Sequence, residues 1–206
     1  MSRIHPYYQN PDKEIGMKIR KPLLIKPFLL FFLVSCSSLP RTDLAVSSDF
    51  VLEGRIGIRG LDRATSASIR WVQTGNNFDV VLWGPLGQGK TRLVGNTSFM
   101  TVQTAKGEYV ENVVPNEMLQ RHLGISPPID AFSRWVLARP AISPLAQGLE
   151  RNEYGDPKAF DQLGFNLEYS EFRDVDGRRL PYRIICSDGT TRITILVERW
   201  ALALAP

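Results

Sequence analysis

The sequence predicts a mainly β protein: one continuous, strongly curved antiparallel sheet with two or more helices inserted midway. Three observations predict it. Apolar and polar residues alternate with period two in a series of short runs, each with one wet face. Gly, Asn and Asp turns separate those runs at hairpin spacing. Only the middle of the chain carries helical spacing, with no strand–helix–strand alternation and no internal repeat.

The elements follow in order. Phe50, Leu52, Ile56 and Ile58 alternate with Val51, Glu53, Arg55 and Arg59 in a first strand. Ala67, Ile69 and Trp71 alternate with Ser66, Ser68 and Arg70 in a second. Thr74-Gly75-Asn76 turns the chain, and Phe78 to Trp83 is the third strand. Thr91 to Val94 and Phe99 to Thr104 continue the meander, with turns at Gly95-Asn96 and Lys106-Gly107. Asn116 to Leu123 then places Met118, Leu119 and Leu123 near one helical face. Asp130 is the expected cap of a second helix bearing Ala131, Phe132, Trp135, Val136 and Leu137. Pro127-Pro128 separates the two helices and Pro140 stops the second. After a loop over 140–148, strands return at Phe165-Leu167-Tyr169, Tyr182-Ile184-Cys186 and Ile193-Ile195-Val197. Asp176-Gly177 and Ser187-Asp188-Gly189 are the expected hairpin turns.

The amino-terminal segment is of another kind. Lys18, Arg20, Lys21 and Lys26 lead into an apolar run, Phe28 to Val34, the pattern of an export signal. The run is far below the roughly 18 residues a membrane span needs. It ends in Leu33-Val34-Ser35-Cys36, which resembles a lipobox, the processing signal of bacterial lipoproteins. In that class the cysteine thiol is lipidated and the bond before it is cleaved. The reading is therefore a signal peptide over 1–35 with Met17 as the initiator, a lipidated Cys36 with a tether over 36–48, and a single domain over 49–206. Ser37, not Asp, follows the cysteine, which points to the outer membrane.

That division changes the charge argument. The chain has 25 Lys/Arg and 21 Asp/Glu, a net +4. Residues 1–35 hold six of the basic and two of the acidic residues, so nineteen of each remain and the net charge is zero. No basic cluster with interleaved aromatics survives, so a nucleic-acid partner loses its basis. Cys186, in a strand-like run after Ile184-Ile185, reads as a buried thiol, and no Cys/His metal set exists.

Gly84 to Thr91 (GPLGQGKT) matches G-x-x-x-x-G-K-[ST] in full. A phosphate-binding loop needs a helix directly after it, whose amide ends hold the anion. Here Arg92-Leu93-Val94 runs into Gly95-Asn96, a short strand and a turn. No nucleotide is expected at a glycine-rich hairpin loop of this kind. What needs explaining is Leu86, at the tip, where a water-exposed loop ordinarily carries Asn or Ser. His122, between Arg121 and Leu123, has no Ser–Asp or Cys partner set around it in the sequence, so no catalytic residue is assigned.

Taken in chain order, several features resemble the LolB family of outer-membrane lipoprotein receptors. They are the lipobox at Cys36, the first strand FVLEGRIGIR, Ala67-Ser68-Ile69-Arg70-Trp71, Gly84-Pro85-Leu86-Gly87, the Gln120–Pro140 segment with Trp135, and the closing Gly189–Trp200 strand. The resemblance covers nearly the whole chain after Cys36. It implies a half-closed antiparallel β-barrel with a helical lid over an apolar cavity. It implies a monomer that takes triacylated lipoproteins from a LolA-like periplasmic carrier and places their acyl chains in outer-membrane lipid, without cofactor, metal, nucleotide or nucleic acid. In the family a leucine on a protruding loop serves the membrane step; the matching position is Leu86, between Pro85 and Gly87. Gln88-Gly89-Lys90 after it is more basic and glycine-rich than the family pattern. Ile69, Trp71, Trp83, Phe99, Met100 and Trp135 are suitable linings for an acyl cavity, although each could equally fill a core. A structural envelope lipoprotein without a ligand, or a hydrolase built around His122, are the alternatives.

Overall fold

Period-two alternation builds the sheet. A computed structural model describes residues 49–60, 64–123 and 128–202. The expected signal peptide, Cys36 and the tether over 36–48 lie outside the described residues, as does the side chain of His122. The strands are β1 (Phe50–Arg59), β2 (Ala64–Thr74), β3 (Asn77–Trp83), β4 (Thr91–Gly95), β5 (Met100–Thr104) and β6 (Tyr109–Val113). Two helices follow, α1 (Pro115–Leu123) and α2 (Ile129–Trp135). Then come β7 (Gln147–Arg151), β8 (Pro157–Gln162), β9 (Phe165–Ser170), β10 (Arg173–Val175), β11 (Arg178–Leu180), β12 (Arg183–Ser187) and β13 (Arg192–Leu202).

Among the described residues eleven strands form one sheet in the order β6-β5-β4-β3-β2-β1-β13-β12-β9-β8-β7, while β10 and β11 make a separate hairpin. Its neighbouring strands are antiparallel. The sheet is open, with β6 and β7 at its two edges. The first and last strands, β1 and β13, pair at its centre from Phe50↔Leu202 to Arg59↔Arg192. That pairing slips once, between Glu53 and Gly54. A Cβ on Gly54 would lie 2.1 Å from the Leu196 carbonyl oxygen. Only glycine therefore lets β1 lie this close to β13.

One face of the sheet is apolar, and α2 packs on it. Phe132 of α2 stacks on Trp71 of β2 with ring centroids 5.6 Å apart, and Trp135 of α2 meets Phe165 of β9 at 5.5 Å. β2 and β9 are four strands apart in the sheet order, roughly 19 Å on a flat sheet. One short helix reaching both means the sheet curls around it. Phe50 joins Trp71 at 5.4 Å and Trp200 at 5.5 Å, which ties both ends of the domain into the same core. The buried indoles keep their hydrogen bonds: Trp71 Nε1 donates to Gln73 Oε1, Trp135 Nε1 to Gln162 Oε1 and Trp200 Nε1 to the Pro181 carbonyl.

The structure corrects three expectations. α2 starts at Ile129 after Pro128, so Asp130 lies in its first turn and not at the cap. Asp130 still complements the helix dipole there. β6, β7 and β8 were not expected as strands, and the segment read as a loop over 140–148 ends in β7. β7 is exposed along its whole length, so it carries no alternating apolar face to read.

Cys186 is buried on the inner face of β12, as expected. Burial pushes its thiol up from an ordinary 9.0 to about 12. A raised folded-state pKa contributes stability that is complete below the unfolded value, so stability falls as pH rises from about 9 toward about 12. The native protein at pH 8 is expected to leave a thiol reagent unreacted at Cys186 and to react stoichiometrically once unfolded in guanidinium. Fast labelling of the native state contradicts this burial.

Candidate functional site

Two features stand out on the frame: a cavity beneath the helices and an exposed apolar loop at one end of the sheet. The cavity has a volume of about 100 Å³, and its lining is carbon, from β1 to β5, β13, α1 and α2. Ile69, Trp71 and Met100, three of the six candidates, line it. The other three candidates lie elsewhere. Trp135 is wholly buried beside it, against Phe132 and Phe165. Trp83 pairs with Ser68 one step beyond Ile69↔Leu82, which puts it on the outer face of the sheet. Phe99 precedes β5 and is 55% exposed.

The wall residues that reasoning missed include Phe78, Val80, Leu82 and Leu93 on the strands and Phe132 on α2. Strand parity carries the signal for the first three: residues 78, 80 and 82 share the face opposite Asp79, Val81 and Trp83. Selecting by side-chain size picked Trp83; selecting by parity excludes it.

Leu86 caps the turn between β3 and β4. It sits in a short 3₁₀ turn, Pro85–Gly87, and is 96% exposed. Backbone bonds cross-link the turn: Gly84 N donates to Gln88 O at 2.8 Å, Gly87 N to Gly84 O at 3.1 Å and Gln88 N to Pro85 O at 3.3 Å. Leu86 itself takes a left-handed conformation, φ 58° and ψ 22°. That conformation costs a branched side chain on the order of 1 kcal/mol. The turn therefore holds an apolar side chain in water, at a local conformational cost, with no packing in return. Pro85 fixes its own φ and limits how the loop can relax.

The same loop disposes of the nucleotide motif geometrically. Thr91 opens strand β4, where a phosphate loop requires a helix. Lys90 thus faces no helix N-terminus.

At the opposite end of the sheet the chain enters through Asp49, whose Oδ1 accepts from Gly75 N at 2.6 Å. Below it, Gln162 of β8 organises the loop after α2. Its Oε1 accepts from Trp135 Nε1 and from Ala141 N, both at 2.8 Å, and its Nε2 donates to the carbonyls of Ala141 and Pro144. No sequence pattern announces this residue, because all its partners are distant in the chain.

With this geometry in place, comparisons with known proteins add a family and relatives. The family model described as "Outer membrane lipoprotein LolB" matches residues 48–200. An outer-membrane lipoprotein LolB of Halorhodospira halophila is 29% identical over 153 residues, 74% of this chain and 75% of that protein. One of Chromohalobacter salexigens is 30% identical over 151 residues, 73% of this chain and 70% of that protein. Among solved structures, a LolA superfamily protein, NE2245 from Nitrosomonas europaea, superposes with a TM-score of 0.49 at 15% identity, covering 77% and 87% of the two chains.

Proposed function

The chain belongs to the LolB family of outer-membrane lipoproteins, whose model spans residues 48–200, and from that premise we propose its task. It is anchored in the outer membrane by lipid on Cys36, after removal of residues 1–35, and faces the periplasm as a monomer. It accepts triacylated lipoproteins from a LolA-like carrier and inserts their acyl chains into outer-membrane lipid. The curved sheet acts as a half-closed barrel, and α1 and α2 act as its lid.

The observation that carries this reading is the all-carbon cavity lying between the inner sheet face and both helices. A closed apolar cavity of roughly 150 Å³ suffices for a benzene-sized guest. The resting volume here, about 100 Å³, is smaller than that, so acyl chains enter only as the helices shift. Leu119, Ile129 and Phe132 are the helix residues on the cavity wall and would move first. Transfer needs no nucleotide if each host buries the chains better than the last. At about 0.8 kcal/mol per methylene, a few extra buried methylenes bias the step severalfold.

The test is binding. The purified protein is expected to take up a fluorescent fatty acid and an acylated lipoprotein, and to ignore the same lipoprotein stripped of its chains. Widening the helix-side wall with Phe132→Ala should strengthen fatty-acid uptake or speed it. Equal binding of acylated and stripped lipoprotein removes the cavity from the mechanism.

A further inference from the structure

On the outer face of the sheet, behind the cavity, lies a basic depression that the transfer reading leaves unused. Ile56 and Ile58 face the cavity, so Arg55, Gly57 and Arg59 face outward. Across the strands, Gly57 pairs with Ser66 and with Thr194, and Arg59 with Ala64 and with Arg192. Arg183 joins from β12, opposite Leu196. Gly57, Arg59, Ser66, Arg183, Arg192 and Thr194 line one depression of about 540 Å³, and Arg55 lies outside it. At its centre Gly57 leaves a notch: an added Cβ would meet nothing nearer than the Thr65 carbonyl at 4.0 Å.

The arginines here differ from others on the outer face. Arg55 pairs with Glu198, Arg70 and Arg199 both pair with Glu53, and Arg92 forks onto Asp79 with bonds of 3.0 and 2.6 Å. Among the described residues Arg59 and Arg183 pair with no carboxylate, and Arg192 reaches Glu168 only at 3.8 Å. The depression itself is lined by three guanidinium groups, by the hydroxyl residues Thr65, Ser66 and Thr194 and, among the described residues, by no acid. Guanidinium forks with hydroxyl donors around a side-chain-free notch suit a phosphate.

Its position says which phosphate. Trp83 is level with Ser68 on β2, and Ser68 with Arg55 on β1. The chain runs from Trp83 to Leu86 in the direction in which β1 runs from Arg55 to Arg59. The Leu86 turn and the Arg59–Arg192 row thus lie at the same end of the sheet, two strands or roughly 10 Å apart laterally. The tether does not forbid this end from meeting the bilayer. Any chain of twelve residues, the number between Cys36 and Asp49, can span at most roughly 40 Å, against a rise of roughly 33 Å for the ten residues of β1.

We propose that the Gly57 depression, with Arg59, Arg183 and Arg192, binds the phosphate of an anionic phospholipid headgroup while Leu86 enters the acyl layer beside it. The inference rests on the reading of Leu86 as the membrane-facing residue. Together the two contacts set the tilt of the domain on the membrane, one by insertion and one by charge.

The test is cosedimentation of the mature chain, residues 36–206, carrying Cys36→Ala, so that neither an acyl anchor nor the basic, apolar signal peptide masks the contact. Vesicles of phosphatidylcholine alone are compared with equimolar phosphatidylcholine–phosphatidylglycerol vesicles. Cationic side chains near an anionic surface each add severalfold to binding, so two should account for a preference of roughly tenfold or more. Arg59→Gln/Arg192→Gln is expected to abolish that preference. Arg55→Gln/Arg199→Gln removes the same charge from paired arginines nearby and is expected to retain it. Gly57→Val, which fills the notch on a strand that tolerates a β-branched residue, should behave like the first pair. Equal loss in both double variants overturns the site in favour of diffuse charge, and retention in Arg59→Gln/Arg192→Gln overturns it outright. Binding of inorganic phosphate by the cluster, with the vesicle preference unchanged in that variant, assigns it to a soluble phosphate and overturns the membrane reading. Leu86→Asn, which removes the apolar side chain without adding charge and suits the left-handed backbone there, separates the premise: it should weaken binding to both vesicle types while leaving the ratio between them, and a ratio kept with no weakening sinks the Leu86 reading alone.

Discussion

Leu86→Glu is expected to leave the protein folded and able to accept a lipoprotein, yet unable to deliver it to liposomes. The folded state loses little, because the leucine is 96% exposed and packs against nothing that its removal would uncover. What changes is the next environment. Moving a leucine side chain from water into the acyl boundary yields roughly 1.5–3 kcal/mol, and a glutamate there costs energy instead. At 1.4 kcal/mol per tenfold, the leucine contribution alone corresponds to a release rate or extent lower by roughly tenfold to a hundredfold. The measurement is a two-stage transfer assay, carrier to protein and protein to liposome, with a thermal melt as the control. Loss of acceptance together with stability would mean that the leucine packs, and unimpaired delivery would end the insertion role.

Gln162→Leu is the substitution expected to cost most stability. Leucine is close in shape and suits a buried position, so packing is largely kept. All four hydrogen bonds of the amide disappear, however. The indole N–H of Trp135 loses its acceptor in the interior, the half-buried amide of Ala141 loses its own, and the carbonyls of Ala141 and the exposed Pro144 lose a donor that water can replace. Each buried polar group left unsatisfied costs about 1–3 kcal/mol. With the Trp135 indole dominant and the half-buried Ala141 amide adding less, the expected loss is about 2–4 kcal/mol, a large part of a stability of roughly 5–15 kcal/mol. Chemical unfolding followed by tryptophan fluorescence reads it directly. A loss below about 1 kcal/mol would show that the loop after α2 finds other partners. Because that amide ties α2 to β8, the variant is also expected to hold fatty acid less well at saturation, through a loosened α2.

Much of the frame was legible because strand alternation is a local property. Phe50, Leu52, Ile56 and Ile58 announce a strand and its inner face without knowledge of any neighbour. The same holds for Ile69 and Trp71, and for Ile184 and Cys186. The turns at Gly75-Asn76, Gly95-Asn96 and Asp176-Gly177 were legible for an equally local reason, since positive-φ positions and tight approaches favour these residues. β6 and β7 escaped because they are edges: β7 is exposed along its length and β6 as far as Val113, so neither has an alternating buried face to write into the sequence.

By itself, then, the sequence determined the β class, the inner face of the central strands, the place of the helices and, through the order of its motifs, the family. The tertiary structure decided what depends on distant residues meeting. Parity within a folded β3 turned Trp83 outward and gave the cavity wall to Phe78, Val80 and Leu82. Curvature around α2 set the volume of that cavity. Gln162 found partners at 135, 141 and 144 that no local pattern names. Arg59, Arg183 and Arg192 became neighbours only because the first strand of the domain pairs with the last. Alternation is written residue by residue, whereas pairing across more than a hundred residues is settled only when the chain closes on itself.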